Sequence, residues 1–116
     1  MDAFDSLDAK TEECLQNCLD CHRICLETIS YGLEKGEMRA EAGFIRLLLD
    51  CAEICQAGAN FMTRGSELHK HVCAACAEVC ARCAENCDLF ADDEQMEECA
   101  EACELCAESC RDLAIA

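Results

Sequence analysis

The chain has 116 residues; 15 are Cys, none is Pro, none is Trp, and the formal net charge is −16. A chain of that length builds one hydrophobic core, so residues 1–116 are expected to form a single domain. The negative charge argues against nucleic acid or an anionic membrane as partner, since both need a basic patch, and no apolar run approaches the ~18 residues of a membrane span.

Leu, Ile, Val and Phe make up only about a fifth of the residues, close to the composition of disordered chains. Cys makes up the difference, because a free Cys behaves as a small, usually buried hydrophobe. The first eight residues are acidic and lack the basic-then-apolar layout of a signal peptide. A cytoplasmic location is therefore expected, where thiols stay reduced and clustered Cys serve as metal ligands or catalytic groups.

In chain order, a first helix is predicted from Asp5 or Ser6 to about Lys35, weakened by Gly32 and Gly36. It carries Cys14, Cys18, Cys21 and Cys25. A second runs from about Met38 to Arg64, carries Cys51 and Cys55, and stops at Gly65. Ser66 is the expected N-cap of a third, which carries Cys73, Cys76, Cys80, Cys83 and Cys87 and reaches Phe90. Asp92, with Gln95 three residues on, has the capping-box pattern. It opens a fourth helix that carries Cys99, Cys103, Cys106 and Cys110 and runs to about Leu113.

Within each group every gap between cysteines is 3 or 4. At about 100° per residue, the first group falls at roughly 0°, 40°, −20° and 20° around the axis. Each group is one stripe on one helix, at the seam spacing of a helical bundle. Short connections join antiparallel neighbours. The expected fold is all-α, an antiparallel up-down-up-down four-helix bundle with a Cys-lined core. Glu97, Glu101, Glu104 and Glu108 lie about 200° from the last stripe and mark its solvated side. Ala52, Ala77, Ala81, Ala84, Ala100 and Ala107 flank the stripes and allow close helix approach.

Packing alone does not explain fifteen inward cysteines, because Leu would stabilise such seams by ~0.8 kcal/mol per extra buried methylene. Disulfides fit poorly as well: Cys at i,i+3 or i,i+4 splay around the axis, and the number of cysteines is odd. Metal–thiolate chemistry remains. Thiolates select Cu(I), zinc and iron–sulfur clusters, but the loop motif of an iron–sulfur site, with its Pro, is missing. Zinc fits two facing Cys-x3-Cys pairs. Cu(I) fits better, because it accepts two nearly collinear sulfurs ~4.3 Å apart, a span that i,i+4 side chains reach. There are seven such pairs, 14/18, 21/25, 51/55, 76/80, 83/87, 99/103 and 106/110, with Cys73 left over. Seven pairs suit capacity rather than catalysis, so no enzymatic activity is expected. The alternatives are a thiol-redox or iron–sulfur electron-transfer protein, and a zinc-thiolate buffer.

The stretch from Val72 to Cys87, Cys51-Ala-Glu-Ile-Cys55, the run from Cys99 to Arg111 and the first-helix stripe resemble the cysteine-rich four-helix-bundle copper storage proteins, in their cytosolic branch. That resemblance implies many Cu(I) ions held by Cys thiolates, uptake at one bundle end lined by His or Met, and a tetramer. A copper-delivering chaperone or a small-molecule thiol is the expected donor. The chain departs from many members at Phe44, where they carry another Cys, and at 90–95, where they carry His.

Beyond the stripes, Ile29, Leu33, Phe44, Leu48 and Phe90 are expected to plug the bundle end near residues 36 and 91. Met96 is read as core on that side. The opposite mouth presents Met62 and His69, which have the softness to act as ligands. His71 is expected on the surface and His22 in a structural role. Of Leu47, Leu48 and Leu49 at least one must lie on a flank.

Overall fold

The computed structural model describes residues 7–115. Helix α1 spans Ala9–Lys35, α2 Ala42–Thr63, α3 His69–Cys87 and α4 Glu94–Ile115, and a 3-10 turn, Glu37–Ala40, separates α1 from α2. α1 packs on α2 and α4, and α3 packs on the same two. The result is the predicted up-down-up-down bundle, 52 × 20 × 19 Å. No described helix is long and apolar enough to cross a membrane.

The helix ends depart from the sequence reading. Asp8 caps α1, its carboxylate accepting from Thr11 N at 2.8 Å; the earlier candidates, Asp5 and Ser6, lie outside the described residues. α2 does not begin at Met38, because the chain first makes the 3-10 turn. Glu41 then caps it, its two oxygens accepting from Gly43 N and Phe44 N. Gly65, at φ +66°, ends α2 as predicted. Its N–H donates to Met62 O and that of Ser66 to Phe61 O, the paired closure that a left-handed Gly permits. The Ser66 hydroxyl accepts from Leu68 N in the connection, and α3 starts only at His69. α3 stops at Cys87, short of Phe90. α4 is capped by Asp93 rather than Asp92: Asp93 Oδ1 accepts from Met96 N, while Asp92 takes a left-handed φ of +58° in the turn. Gln95 closes no capping box and instead donates to Thr28 Oγ1.

The stripes face inward on all four helices, and every Cys is at most 1% exposed. The predicted outward Glu97, Glu101, Glu104 and Glu108 are exposed. Leu48 is buried, Leu47 half-buried and Leu49 exposed, as the crowding of three adjacent leucines requires.

The plug differs on α1, where Ile29 is only half-buried against the core and Leu33 is off the seam altogether. Leu33 is 59% exposed, one position off the seam. The inward positions beyond Cys25 are Thr28 and Gly32, both buried. The Thr28 hydroxyl donates to Ile24 O, which lets a polar side chain sit in the core without an unpaired group. Gly32 is buried because the Arg39 carbonyl oxygen occupies the space its Cβ would fill. Phe44 and Phe90 meet at 5.3 Å between ring centroids, and Leu48 and Met96 are fully buried beside them.

Candidate metal centre

All fifteen cysteines are free thiols in this structure. The helix registers stack them in layers along the bundle axis. Cys21, Cys51, Cys80 and Cys103 form one, with neighbouring sulfurs 3.6–3.7 Å apart for 21–103, 51–80 and 21–51. Cys18, Cys55, Cys76 and Cys106 form the next, with 18–106 at 3.6 Å and 55–76 and 55–106 at 3.8 Å. Cys14, Cys73 and Cys110 lie beyond, within 4.8 Å of one another. On the plugged side come Cys25, Cys83 and Cys99, then Cys87, which interacts with Cys83 and Cys99.

The layers are not separate. Cys18 also reaches Cys110 at 3.7 Å, Cys55 reaches Cys80 at 3.6 Å, and Cys25 reaches Cys103 at 4.0 Å. Isolated i,i+4 pairs are therefore not the unit. The 76/80 and 106/110 pairs stand at 3.7 and 3.9 Å, no closer than contacts across helices. Alternation of 3 and 4 aims every thiol at the common axis, so cross-helix neighbours are as near as neighbours on one helix.

Contacting thiols also titrate together. The S–H groups of Cys110 and then Cys18 hold Cys14 well below the usual thiol range, and Cys110 does the same to Cys106. The donors resist ionisation in turn: hydrogen bonding to Cys106 pushes Cys110 up, and Cys55 likewise. The column thus holds shared protons that a soft cation would displace.

At the mouth, Met62 is 2% exposed and His69 half-buried, next on the α2 and α3 seams. Together with Asp8, Thr11 and Glu67 they line a depression of about 260 Å³. His69 Nδ1 lies 2.9 Å from Ser66 O; donation there assigns the proton to Nδ1 and leaves the Nε2 lone pair available, the arrangement typical of ligating histidines. His22 Nδ1 is bound to Ala52 O at 2.7 Å, in the expected structural role, and His71 is exposed. Sequence reasoning missed two features of the column. One is Gly58, on the α2 seam between Cys55 and Met62, which the 3-4 spacing could have revealed. The other is Ser109, which accepts from Asn17 Nδ2 at 3.2 Å and lies beside Cys14; no local pattern marks it.

A helical bundle with an acidic exterior and an interior column of free thiols defines a multi-site, soft-metal thiolate protein. The chain belongs to the copper storage protein family, the match to which spans residues 7–115. It is 41% identical to a protein of Nitrosospira multiformis of known crystal structure, at a TM-score of 0.89, covering 94% of this chain and 98% of that one. It is 35% identical to the Cu(I)-bound copper storage protein BsCsp3 of Bacillus subtilis, at a TM-score of 0.84, over 90% of this chain and 98% of that one. It is 30% identical to a cytosolic copper storage protein of Streptomyces lividans, determined with five coppers, at a TM-score of 0.85, over 92% and 93% of the two chains.

Proposed function

We propose that this chain is a single-domain, cytoplasmic, non-enzymatic store for multiple Cu(I) ions. All fifteen cysteines serve as thiolate ligands, and Met62 and His69 receive the ion at the mouth. The observation that carries this reading is the continuity of the sulfur column. Cys21, Cys25, Cys103, Cys106 and Cys110 each belong to two of the possible metal-holding groups, so thiolates are placed to bridge ions. Three-coordinate Cu(I), with bonds of about 2.25 Å, spaces its sulfurs ~3.9 Å apart, the spacing found along the column. Bridging favours a capacity above the seven ions of isolated pairs and on the order of one per thiol. Among the described residues every thiol lies buried along the bundle axis, an arrangement that suits holding ions rather than presenting a reactive group to a substrate, which is why catalysis is not proposed. A copper chaperone or a small-molecule thiol is the proposed donor, and a homo-oligomer, a tetramer by resemblance, the proposed assembly.

Zinc is the second reading. A tetrahedral site with bonds of ~2.3 Å spaces its sulfurs at about 3.8 Å, which the four-thiol layers also satisfy. Discrete four-thiolate sites would hold only about three zinc ions. Titration of reduced protein with Cu(I) against a competing chelator, with zinc in parallel, tests the proposal. Tight uptake of seven or more Cu(I) is expected; saturation at one or two ions overturns storage.

A further inference from the structure

α2 turns inward at Leu48, Cys51, Cys55 and Met62, and its register places buried Gly58 between the last two. The seam register sets Gly58 level with the layer that holds the three thiols Cys14, Cys73 and Cys110, and α2 adds no sulfur to it. Nothing requires Gly there. A Cβ at Gly58 would lie 3.6 Å from Cys18 Sγ and 3.9 Å from Val72 Cγ1, ordinary contact distances, and the residue sits inside a regular helix, where Gly is among the poorest formers. Gly32 is the contrast, because a Cβ there would overlap the Arg39 carbonyl. Gly58 therefore leaves room for a methyl group, bordered by Cys18 of the neighbouring layer and by Val72, rather than marking a close backbone approach.

We propose that Gly58 makes the Cys14/Cys73/Cys110 layer the exchange site of the column, where an incoming small-molecule thiol takes copper from the protein or delivers it. This rests on the storage reading. Three thiolates leave a Cu(I) ion there with its α2 side uncovered, whereas the next two layers close all four sides with sulfur. Met62 stands one turn above. Helical side chains lean toward the preceding turn, so the unbranched thioether of Met62 extends over the gap and can swing aside. An incoming thiol binds the ion through its sulfur as thiolate, one protein Cu–S bond breaks, and the released cysteine takes up the proton the incoming thiol lost. Copper remains Cu(I) throughout, and reversal of the same steps loads the column.

The test compares Cu(I)-loaded wild type with Gly58→Ala, which fits without overlap. Release to bicinchoninate is followed by absorbance with and without glutathione. Glutathione should accelerate release from the wild type, and Gly58→Ala should slow the thiol-assisted rate at least about fivefold with no change in copper capacity. Asn60→Ala, exposed on the same turn, raises helix propensity without entering the column and should release at the native rate. Native-rate release from Gly58→Ala overturns the proposal, and so does equal slowing by Asn60→Ala, which would assign the effect to a stiffer helix. A wild-type capacity of one or two ions would overturn the storage reading itself, whatever the rates.

Discussion

Arg39 Nε donates to Asp93 Oδ2 at 2.6 Å, tying the turn after α1 to the first residue of the α4 cap. Tyr31 of α1 donates to the same oxygen at 2.9 Å, while Asp93 Oδ1 accepts from Met96 N. The Arg39 guanidinium also lies 5.1 Å over the Phe90 ring. One buried carboxylate thus fastens three segments at the closed end. Asp93→Ala removes a helix cap and leaves Tyr31 and Arg39 without their acceptor, so a loss of about 1–3 kcal/mol is expected in urea unfolding of the metal-free protein. Copper capacity should not change, because no thiol is touched.

The same carboxylate predicts a pH dependence. Burial opposes its ionisation, but the Arg39 hydrogen bond, the Met96 N–H and the Tyr31 hydroxyl outweigh burial and hold its pKa below the usual carboxylate value. A lowered folded pKa gives stability that is complete above the unfolded value, ~3.9, and is lost as pH falls through the folded one. The stability gap between wild type and Asp93→Ala should therefore be constant from pH 7 to about 5 and close below about 4. A gap that persists unchanged at pH 3 would show that Asp93 acts through packing alone.

Metal-free protein should already be helical. Asp8, Glu41 and Asp93 cap α1, α2 and α4 with side-chain hydrogen bonds, and the four Cys stripes pack into one core without any metal to join them. Far-ultraviolet circular dichroism of the reduced apo protein should show a predominantly helical spectrum, with melting shifted upward by Cu(I), which binds the folded state. A coil spectrum would mean that metal organises the bundle.

The four stripes were legible because a 3-4 spacing of one residue type admits only one helical face. The turns were harder. Asp92 and Asp93 offer the same side chain, and only the left-handed backbone at Asp92 makes Asp93 the cap. Leu33 looked inward by hydrophobicity, yet the Arg39 carbonyl claims the space at Gly32 and sets the register one residue away. That contact joins positions separated by a turn, and local pattern carries no trace of it. The difference between seven isolated pairs and one continuous column likewise depends on how the stripes of separate helices interleave.

The closed end supplies a packing prediction. Phe44 is 6% exposed and its ring meets Phe90, one residue type away from a ligand yet unable to bind copper. Phe44→Ala should cost about 3–5 kcal/mol, the usual range for a buried ring, read from the shift in unfolding midpoint. Copper loading should be no slower. Slower loading would mean that ions pass through this end.

The mouth carries the last prediction. Met62 and His69 occupy the layer above Cys14, Cys73 and Cys110, and the His69 Nδ1 contact to Ser66 O leaves Nε2 for a metal. On the proposed route a soft ion meets the half-buried His69 and then Met62 before any thiol, since every cysteine lies deeper in the bundle. Met62→Leu keeps the volume and removes the sulfur; His69→Ala removes the nitrogen. The double variant should load copper more slowly, by about an order of magnitude if these are the first ligands, and should end within about one or two ions of the native capacity, because the thiol column remains intact. Stopped-flow transfer from a Cu(I) chelate reads the rate, and the same titration that measures capacity reads the end point. Native-rate loading by the double variant would place uptake between the helices, along the α1–α4 seam where Asn17 and Ser109 meet, instead of at the mouth.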